Sequence, residues 1–244
     1  MSLSFRRWFG GAADDAVPAA GSALRDWVRS RGWRIAVPRG EPTGWVVQPA
    51  QSDALAWRAE WGPSQREYIQ GHELRVRAEL GSVGTDLQML LIGRALATLL
   101  EQTVYEQVTE GNQTRMDDRT PEEMRWLVLF AKAPRAMLGP IGEQFSVRAN
   151  RPAAGPLWVE GPLAERLAKP SPWHGADKAF AMVVQRGRFV MRVGLDEPTP
   201  EALAWAVGLA GVAIAAARRV AEEVGRGGIG SQRPSGWEAL TRVP

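Results

Sequence analysis

The sequence contains no cysteine, and among its 244 residues it has only two histidines and three lysines. The lack of cysteine excludes disulfide bonds, thiolate nucleophiles and cysteine-ligated zinc. Because His72 and His174 are the only imidazoles, a histidine-based metal site would need carboxylate partners. No residue spacing in the sequence matches a catalytic triad, a metal-binding cluster or a phosphate-binding loop. We therefore expect no catalytic residues, no metal site and no cofactor.

Long runs of one charge are also missing. The net charge is only +3, although the sequence pI is 9.8. Residues 1–120 carry a net charge of −1, and residues 121–244 carry a net charge of +4. Nonspecific affinity for nucleic acid grows with the number of phosphates that clustered basic side chains neutralise. This dispersed charge therefore predicts no specific nucleic-acid partner.

Long hydrophobic runs are equally scarce. The longest uncharged run near the C-terminus, Ala202 to Ala217, is shorter than the roughly 20 residues needed to cross a bilayer. The N-terminus lacks the continuous apolar stretch of a signal peptide. The sequence therefore predicts no transmembrane segment and a cytoplasmic location. Arginine supplies 27 of the 30 basic residues, which is typical of a GC-rich bacterial genome.

What the sequence does contain is an internal repeat. Residues 71–80 align with residues 186–195, and their apolar residues recur at alternate positions: Leu74, Val76, Ala78 and Leu80 align with Phe189, Met191, Val193 and Leu195. This period of two is typical of a strand with one buried face. Upstream, three more apolar residues align in the same order: Trp33, Ile35 and Trp45 with Phe145, Val147 and Trp158.

Each aligned strand is followed by a predicted helix start. Thr85 opens a capping box that ends at Gln88, and Thr199 precedes Pro200 at the favoured first helical position. These signals predict long helices over about 86–109 and 200–224. In each unit four strands precede the long helix, with the third strand placed at 54–61 and 178–184. The second unit places its second strand at 157–160, followed by a short helix at 162–169.

The sequence therefore predicts an α+β protein formed by a tandem internal duplication of an α-β-β-β-β-α unit. Two antiparallel sheets are expected, with the long helices packed in a pseudo-two-fold arrangement. The predicted segments are an N-terminal arm (1–17), a first α/β repeat (18–110), a connecting loop and helix (111–131), a second α/β repeat (132–225) and a C-terminal tail (226–244).

The two halves differ in the expected exposure of their strands. In the first half, outward positions form a mixed-charge surface whose members can pair across strands: Arg58, Glu60, Glu73, Arg75, Arg77 and Glu79. In the second half the strands are apolar on both faces, so we expect cover on both sides. Small residues of the 200–224 helix, including Gly208 and Gly211, predict close packing against leucines of the 86–109 helix.

Five residues are candidates for binding a ligand or partner: Trp173, His174, Arg75, Arg77 and His72. Trp173 and His174 lie in a loop bracketed by proline and glycine, where they could line a pocket or plug the sheet edge. Arg75 and Arg77 lie on the charged face. His72 begins a strand on its apolar side, so it points away from Glu73 and cannot form a dyad with it. Several of the 11 tryptophans lie in predicted strands and are interpreted as core residues: Trp33, Trp45, Trp57, Trp61 and Trp158.

The element order in the second half resembles the general layout of secretion-chaperone-type folds. This resemblance implies a pseudo-dimer within one chain that binds another protein. The first hypothesis is therefore a non-enzymatic bacterial protein-binding or scaffold protein, monomeric or homodimeric, that works through a sheet edge or the groove between halves. The alternative is an enzyme or small-ligand binder with its pocket at the interface of the repeats, near Trp173 and His174. A nucleic-acid-binding saddle is a third hypothesis, which the dispersed charge disfavours.

Overall fold

One antiparallel sheet of eight strands organises the chain, where two sheets were predicted. The computed structural model describes residues 21–38, 44–51, 57–81, 85–110, 121–175 and 178–227. The predicted N-terminal arm, the connecting loop at 111–120 and all of the C-terminal tail after residue 227 lie outside these residues. The strands are β1 (Trp33–Ala36), β2 (Trp45–Pro49), β3 (Trp57–Pro63), β4 (His72–Glu79), β5 (Met89–Gly93), β6 (Phe145–Ala149), β7 (Phe180–Gln185) and β8 (Arg188–Gly194). Their order across the sheet is β1-β2-β3-β4-β8-β7-β5-β6.

Helices cover both faces of this sheet. They are α1 (Ser22–Ser30), α2 (Arg94–Glu110), α3 (Glu122–Leu129), a 3-10 segment (Arg135–Ile141), α4 (Ala154–Val159), α5 (Pro162–Ala168) and α6 (Pro200–Gly225). Helices α1, α4, α5 and α6 pack in the larger core on one face, which we call the first face. Helices α2 and α3 pack on the opposite, second face, over β5, β6 and β7. The strands β6 and β7 are thus covered on both sides, as the apolar residues of the second half predicted, whereas β8 carries the 70% exposed Arg188 on its second face.

The predicted start of the first long helix is wrong. Residues Met89–Gly93 form strand β5, and α2 begins only at Arg94. All five residues of β5 are buried, because β6 and β7 flank the strand and both of its faces are covered. A short apolar run of this kind has no periodicity that separates a strand from a helix. The guanidinium of Arg94 donates to the carbonyl oxygens of Glu143 and Phe145, which joins the end of β5 to the start of β6.

The predicted strand at 157–160 is also wrong, because Ala154–Val159 form helix α4. A Cβ on Gly155 would lie 2.9 Å from a methyl carbon of Val147, so glycine lets this helix approach β6 closely. The indole N–H of Trp158 donates to the carbonyl oxygen of Ala213 in α6 at 3.0 Å. Trp158 is therefore a core residue, as interpreted, but it reaches the core from a helix. In the predicted repeat, a strand at 157–160 would lie next to β7. In the structure, β5 occupies that position in the sheet.

The expected contact between the two long helices does not form, since α2 and α6 lie on opposite faces of the sheet. Gly211 is exposed, and a Cβ placed on it would meet no atom within 4 Å. A Cβ on Gly208 would meet the end of the Arg166 side chain at 2.8 Å, which belongs to α5. The small residues of α6 therefore do not serve the predicted packing against leucines.

Helix α6 is long and apolar enough to span a membrane by length and composition alone. Its N-terminus has the predicted cap, because the Thr199 hydroxyl accepts from the Ala202 N–H at 3.2 Å. Ten of its side chains are buried in the first-face core, including Leu203, Leu209 and Val220. A helix at the core of a globular protein meets the same length and composition test. The part of the chain that the structure describes thus contains no clear transmembrane segment.

The hairpin between β7 and β8 sets the register at the centre of the sheet. Arg186 and Gly187 both have positive φ, at 50° and 72°, which is the backbone of a two-residue type I′ turn. A Cβ on Gly187 would lie 2.9 Å from the carbonyl oxygen of Gly81, so glycine is required there for space as well. β8 then pairs with β4 over seven residues, from Glu73 opposite Gly194 to Glu79 opposite Arg188. This pairing joins the two halves of the chain.

Candidate functional site

A cluster of charged side chains lies on the second face, where β3, β4 and β8 run side by side. Residues of these strands alternate between apolar side chains on the first face and charged side chains on the second. Glu60 lies opposite Arg75, and Arg75 lies opposite Arg192, so these three form a row across three strands. Their neighbours along the strands complete what we call the charged cluster: Arg58, Glu60, Glu73, Arg75, Arg77 and Arg192.

Two carboxylates hold this cluster together. Glu60 is 2.6 Å from Arg58, 3.4 Å from Arg75 and 3.6 Å from Arg77, measured between nitrogen and oxygen. Glu73 accepts a hydrogen bond of 2.7 Å from Arg192. The predicted pairing of opposite charges across strands is therefore confirmed. The predicted surface position is wrong for Glu60, Glu73 and Arg75, which are buried, whereas Glu79 is exposed as predicted. Arg192, which was not part of the prediction, is buried as well.

Arg75 is the least satisfied member of the charged cluster. Only 3% of its side chain is exposed, yet its Nε and Nη1 atoms have no hydrogen-bond partner in the structure. Its nearest carboxylate oxygens, on Glu60 and Glu73, are both 3.4 Å away. Burial lowers the pKa of the Arg75 guanidinium, and these two carboxylates only partly offset the effect. The other oxygen of Glu73, Oε2, is likewise buried without a donor.

A second polar group lies between this cluster and α3. The buried carboxylate of Glu123 accepts hydrogen bonds from the Arg66 guanidinium and, at 2.7 Å, from the Tyr68 hydroxyl. Burial opposes ionisation of Glu123, but the bond from Arg66 holds its pKa below the usual range. Burial, reinforced by the charge of Glu123, raises the pKa of Tyr68 well above its usual value. The backbone N–H of Gln65 donates to Glu73 at 3.1 Å, which fixes this loop on the charged cluster.

Trp173 and His174 lie on the first face, in an aromatic cluster. The His174 ring lies 5.7 Å from both Phe145 and Phe180 and 5.6 Å from Trp205, while Trp173 lies 5.2 Å from Trp205, measured between ring centroids. Only 4% of His174 is exposed, and neither ring nitrogen has a hydrogen-bond partner. Burial lowers the pKa of His174, so the imidazole is neutral near pH 7. The cluster joins the starts of β6, β7 and α6 to the loop before β7.

His72 lies apart from both clusters. Its ring stacks on the indole of Trp61 with centroids 4.6 Å apart, and the indole N–H donates to the Leu195 carbonyl oxygen at 2.8 Å. As predicted from the strand alternation, it lies on the apolar face at the start of β4, opposite in direction to Glu73.

The five candidate residues therefore fall into three places. Arg75 and Arg77 belong to the charged cluster, Trp173 and His174 belong to the aromatic cluster, and His72 belongs to a separate stack. Among the described residues, no three or more histidine, aspartate or glutamate side chains group closely enough to hold a metal ion.

The sequence analysis did not name as site residues several members of the charged cluster, the Glu123 group and the aromatic cluster: Arg192, Glu123, Tyr68, Phe145, Phe180 and Trp205. Arg192 is the one charge within the apolar run from Phe189 to Val193, and that signal could have drawn attention to it. Tyr68 and Glu123 meet only because α3 folds over the loop before β4, and they are 55 residues apart.

Exposed large apolar side chains form a third feature. Those among the described residues all lie between positions 94 and 141, and each is between 54% and 71% exposed. They are Leu99 and Tyr105 on α2, Val128 and Leu129 on α3, and Met137 on the 3-10 segment. The 3-10 segment packs on α5 and α4 in the first-face core, so we use the name α2–α3 surface for the four residues of the two helices only. The buried sides of the same helices, with Leu100 and Trp126, already supply the second-face core. The α2–α3 surface is therefore additional to what folding requires.

Comparison with known proteins adds no assignment to this geometry: no family model, no curated protein and no solved structure matches the chain.

Proposed function

We propose that this chain is a non-enzymatic protein-binding or scaffold protein of the bacterial cytoplasm, and that its partner contacts the α2–α3 surface. The observation that supports the proposal is the set of exposed large apolar side chains on α2 and α3, two helices that pack against each other. Concentrated exposed apolar area costs solvation free energy, and in monomeric proteins it marks interaction sites. Tyrosine, present here as Tyr105, is enriched in the buried centres of interfaces.

The position of this surface also suits a partner that binds beside the sheet. Helices α2 and α3 pack against each other and against β6, which is an edge strand. Part of the outer edge of β6 is already occupied, because the Ala133 N–H donates to the Val147 carbonyl oxygen at 2.9 Å. A partner is therefore expected to bind the helices through side chains and not to add a strand to β6.

Site-specific photocrosslinking tests this proposal. A photoreactive residue is placed at Leu99, at Leu129 or, as the matched control, at exposed Gly211 on the opposite face. In cells of the native organism, we expect one partner adduct of the same mass from positions 99 and 129 and none from 211. The double variant Leu99→Asp with Leu129→Asp should lose the partner while keeping its denaturation midpoint. Equal adducts from all three positions would contradict the proposal.

The aromatic cluster favours a second candidate, a small-ligand binder or enzyme with its site at His174. The supporting observation is the buried imidazole without hydrogen bonds, since such groups are costly unless a ligand or water satisfies them. It ranks second because ring contacts of 5.2–5.8 Å already pack the cluster with this chain's own side chains. With only two histidines, the imidazole NMR resonances test it directly. Fragments that shift His174 and leave His72 unchanged support a ligand site there, and a screen with no such fragment contradicts it.

We also infer that the chain contains the tandem duplication, arranged within one sheet about a pseudo-two-fold axis between β4 and β8. The support comes from the pairing register, in which Val76 lies directly opposite Met191. These two residues are also aligned with each other in the sequence repeat, 115 positions apart. A two-fold axis between the strands requires a residue to face its own equivalent, and this pair meets that requirement.

The strand order outward from this axis supports the same inference. β3 follows β4 on one side and β7 follows β8 on the other, and the aligned strands β1 and β6 form the two edges. The position of β2 is matched by β5, which comes from the first half of the chain. An experimental structure in which the rotation that maps β4 onto β8 fails to map β3 onto β7 would contradict the duplication.

A further inference from the structure

We infer that the charged cluster is a binding site for an oxyanion, a carboxylate or phosphate group, which the guanidinium groups of Arg75 and Arg77 recognise. This inference does not depend on the protein-binding proposal, because it concerns other residues. It starts from the balance of charge. Leaving Arg58 aside, the guanidiniums of Arg75, Arg77 and Arg192 share two carboxylates among the described residues, those of Glu60 and Glu73.

The carboxylates are already engaged by other donors. Glu73 Oε1 accepts from Arg192 at 2.7 Å and from the Gln65 N–H at 3.1 Å. Glu60 Oε1 contacts Arg58 at 2.6 Å, closer than either Arg75 or Arg77 approaches the same carboxylate. Arg75 is consequently left with contacts of 3.4 Å that lack hydrogen-bond geometry. A buried charge in this position destabilises the fold unless a counter-charge and hydrogen-bond acceptors reach it.

The shape of the arginine fork explains why an oxyanion fits. The unpartnered Nη1 atom lies beside Nη2 at the end of the planar guanidinium, an edge whose two N–H groups can bind two oxygens of a carboxylate or phosphate in parallel. The Nε atom lies on a different edge, which faces Glu73. Lowering of the Arg75 pKa by burial shows that its charge is under-compensated, and a bound anion would reverse that effect. The free Oε2 of Glu73 disfavours a second anion on its side, so the ligand is expected to lie toward Arg77.

Exposure increases along β4 in the same direction. The side chain of Arg75 is 3% exposed, whereas that of Arg77, two residues further along the same face, is 42% exposed. The Arg77 Nε atom has no hydrogen-bond partner either. Arg77 is therefore placed at the solvent side of the cluster, where it can meet an anion that then reaches Arg75.

Two sources of the oxyanion share this chemistry: a free small anion, or an acidic side chain of a peptide. Isothermal titration calorimetry of the full chain distinguishes them, with chloride as the background anion and the ionic strength held constant. The three probes are inorganic phosphate, acetate and a capped tetraglutamate peptide. We expect saturable one-site binding of at least one probe. Binding of phosphate or acetate points to a free anion, and binding of the peptide alone points to an acidic segment.

Variants assign the binding to the cluster. Arg77→Gln should weaken binding about tenfold or more, because it removes a charge-assisted hydrogen bond. Arg75→Met should abolish binding. If this buried variant does not fold, the affinity of Arg77→Gln alone decides whether the anion binds at the charged cluster. The matched control is Arg188→Gln, which removes the same charge from a 70% exposed side chain that pairs with Glu79 on the same face. Its affinity should stay within about twofold of the unsubstituted protein, because exposed charges are screened by salt.

Two results would overturn the inference. One is the absence of saturable heat with all three probes, which would leave Arg75 as a structural residue hydrated by buried water. The other is an equal loss of affinity in Arg77→Gln and Arg188→Gln, which would mean that the probes respond only to net charge.

Discussion

Replacing Glu73 by glutamine is the sharpest test of the buried electrostatics in this fold. The Glu73 carboxylate is fully buried, accepts from Arg192 at 2.7 Å and lies 3.4 Å from Arg75. Glutamine has nearly the same size and keeps an oxygen that can accept from the Gln65 N–H, so the substitution removes charge with little change in packing. Two guanidiniums on the second face would then lose their shared counter-charge. Breaking a buried ion pair in this way costs about 3–5 kcal/mol.

The measurement is urea denaturation followed by tryptophan fluorescence in buffer without phosphate or carboxylate anions. With a denaturant slope of about 1–3 kcal/mol/M, a loss of about 3 kcal/mol lowers the midpoint by about 1–3 M. The matched control is Glu79→Gln on the same strand and face, whose partner Arg188 is 3.2 Å away with both side chains more than half exposed. An exposed pair of this kind contributes about 0.2–1 kcal/mol. A Glu73→Gln loss no larger than that of Glu79→Gln would refute the claim that Glu73 neutralises buried charge.

Three further outcomes are expected. Gly211→Ala should stabilise the protein by about 0.5–1 kcal/mol in the same urea assay, because alanine lowers the backbone entropy of the unfolded chain. The added methyl group meets no atom within 4 Å in the folded protein. A lower urea midpoint would contradict the exposed position of residue 211 on α6. Burial lowers the pKa of His174 in the folded state below its usual value of about 6.5, so protonation of this side chain favours unfolding. Between about pH 6.5 and 5, the free energy of unfolding should therefore fall faster for the unsubstituted protein than for His174→Phe. Parallel profiles of unfolding free energy against pH would contradict the burial of His174. The Tyr105→Phe variant leaves Tyr68 as the one tyrosine that an ultraviolet titration detects. Tyr68 should ionise only well above pH 10 in this variant, because burial and the charge of Glu123 raise its pKa. Ionisation near pH 10 would contradict the hydrogen bond to Glu123.

The sequence predicted much of the secondary structure, because the signals concerned are local. The alternation in residues 72–79 and 188–194 identified β4 and β8, and the Thr199-Pro200 start identified α6. The short helix near 162–169 was also predicted from its sequence and forms at Pro162–Ala168. In each case, propensity, capping and burial favour the same structure, so neighbouring residues suffice.

The errors fall where a segment is compatible with two structures. Met89–Gly93 is apolar throughout, and only the gap between β6 and β7 makes it a strand. Ala154–Val159 contains Trp158, which aligned with a strand residue, yet with β5 beside β7 the segment packs as a helix on β6 and α6. Pairing with β6 and β7 decided the first segment, and the occupation of the place beside β7 by β5 decided the second. No local pattern records these distant partners.

For the candidate sites, residue type was readable but grouping was not. Alternating arginine and glutamate on β3 and β4 showed that opposite charges would pair. Burial of those charges depends on Arg192, which reaches Glu73 across 119 residues of sequence.

The sequence by itself determined that this is an α+β chain without disulfide bonds, with one charged and one apolar side to the strands β3 and β4 of its first half. The tertiary structure alone decided that all eight strands join one sheet, that β5 crosses into the second half, and that α2 and α6 lie on opposite faces. It also decided which charges are buried and which apolar side chains of α2 and α3 stay exposed. The physical reason is that side-chain chemistry and strand period are local properties, whereas burial and strand pairing depend on which distant segments come into contact.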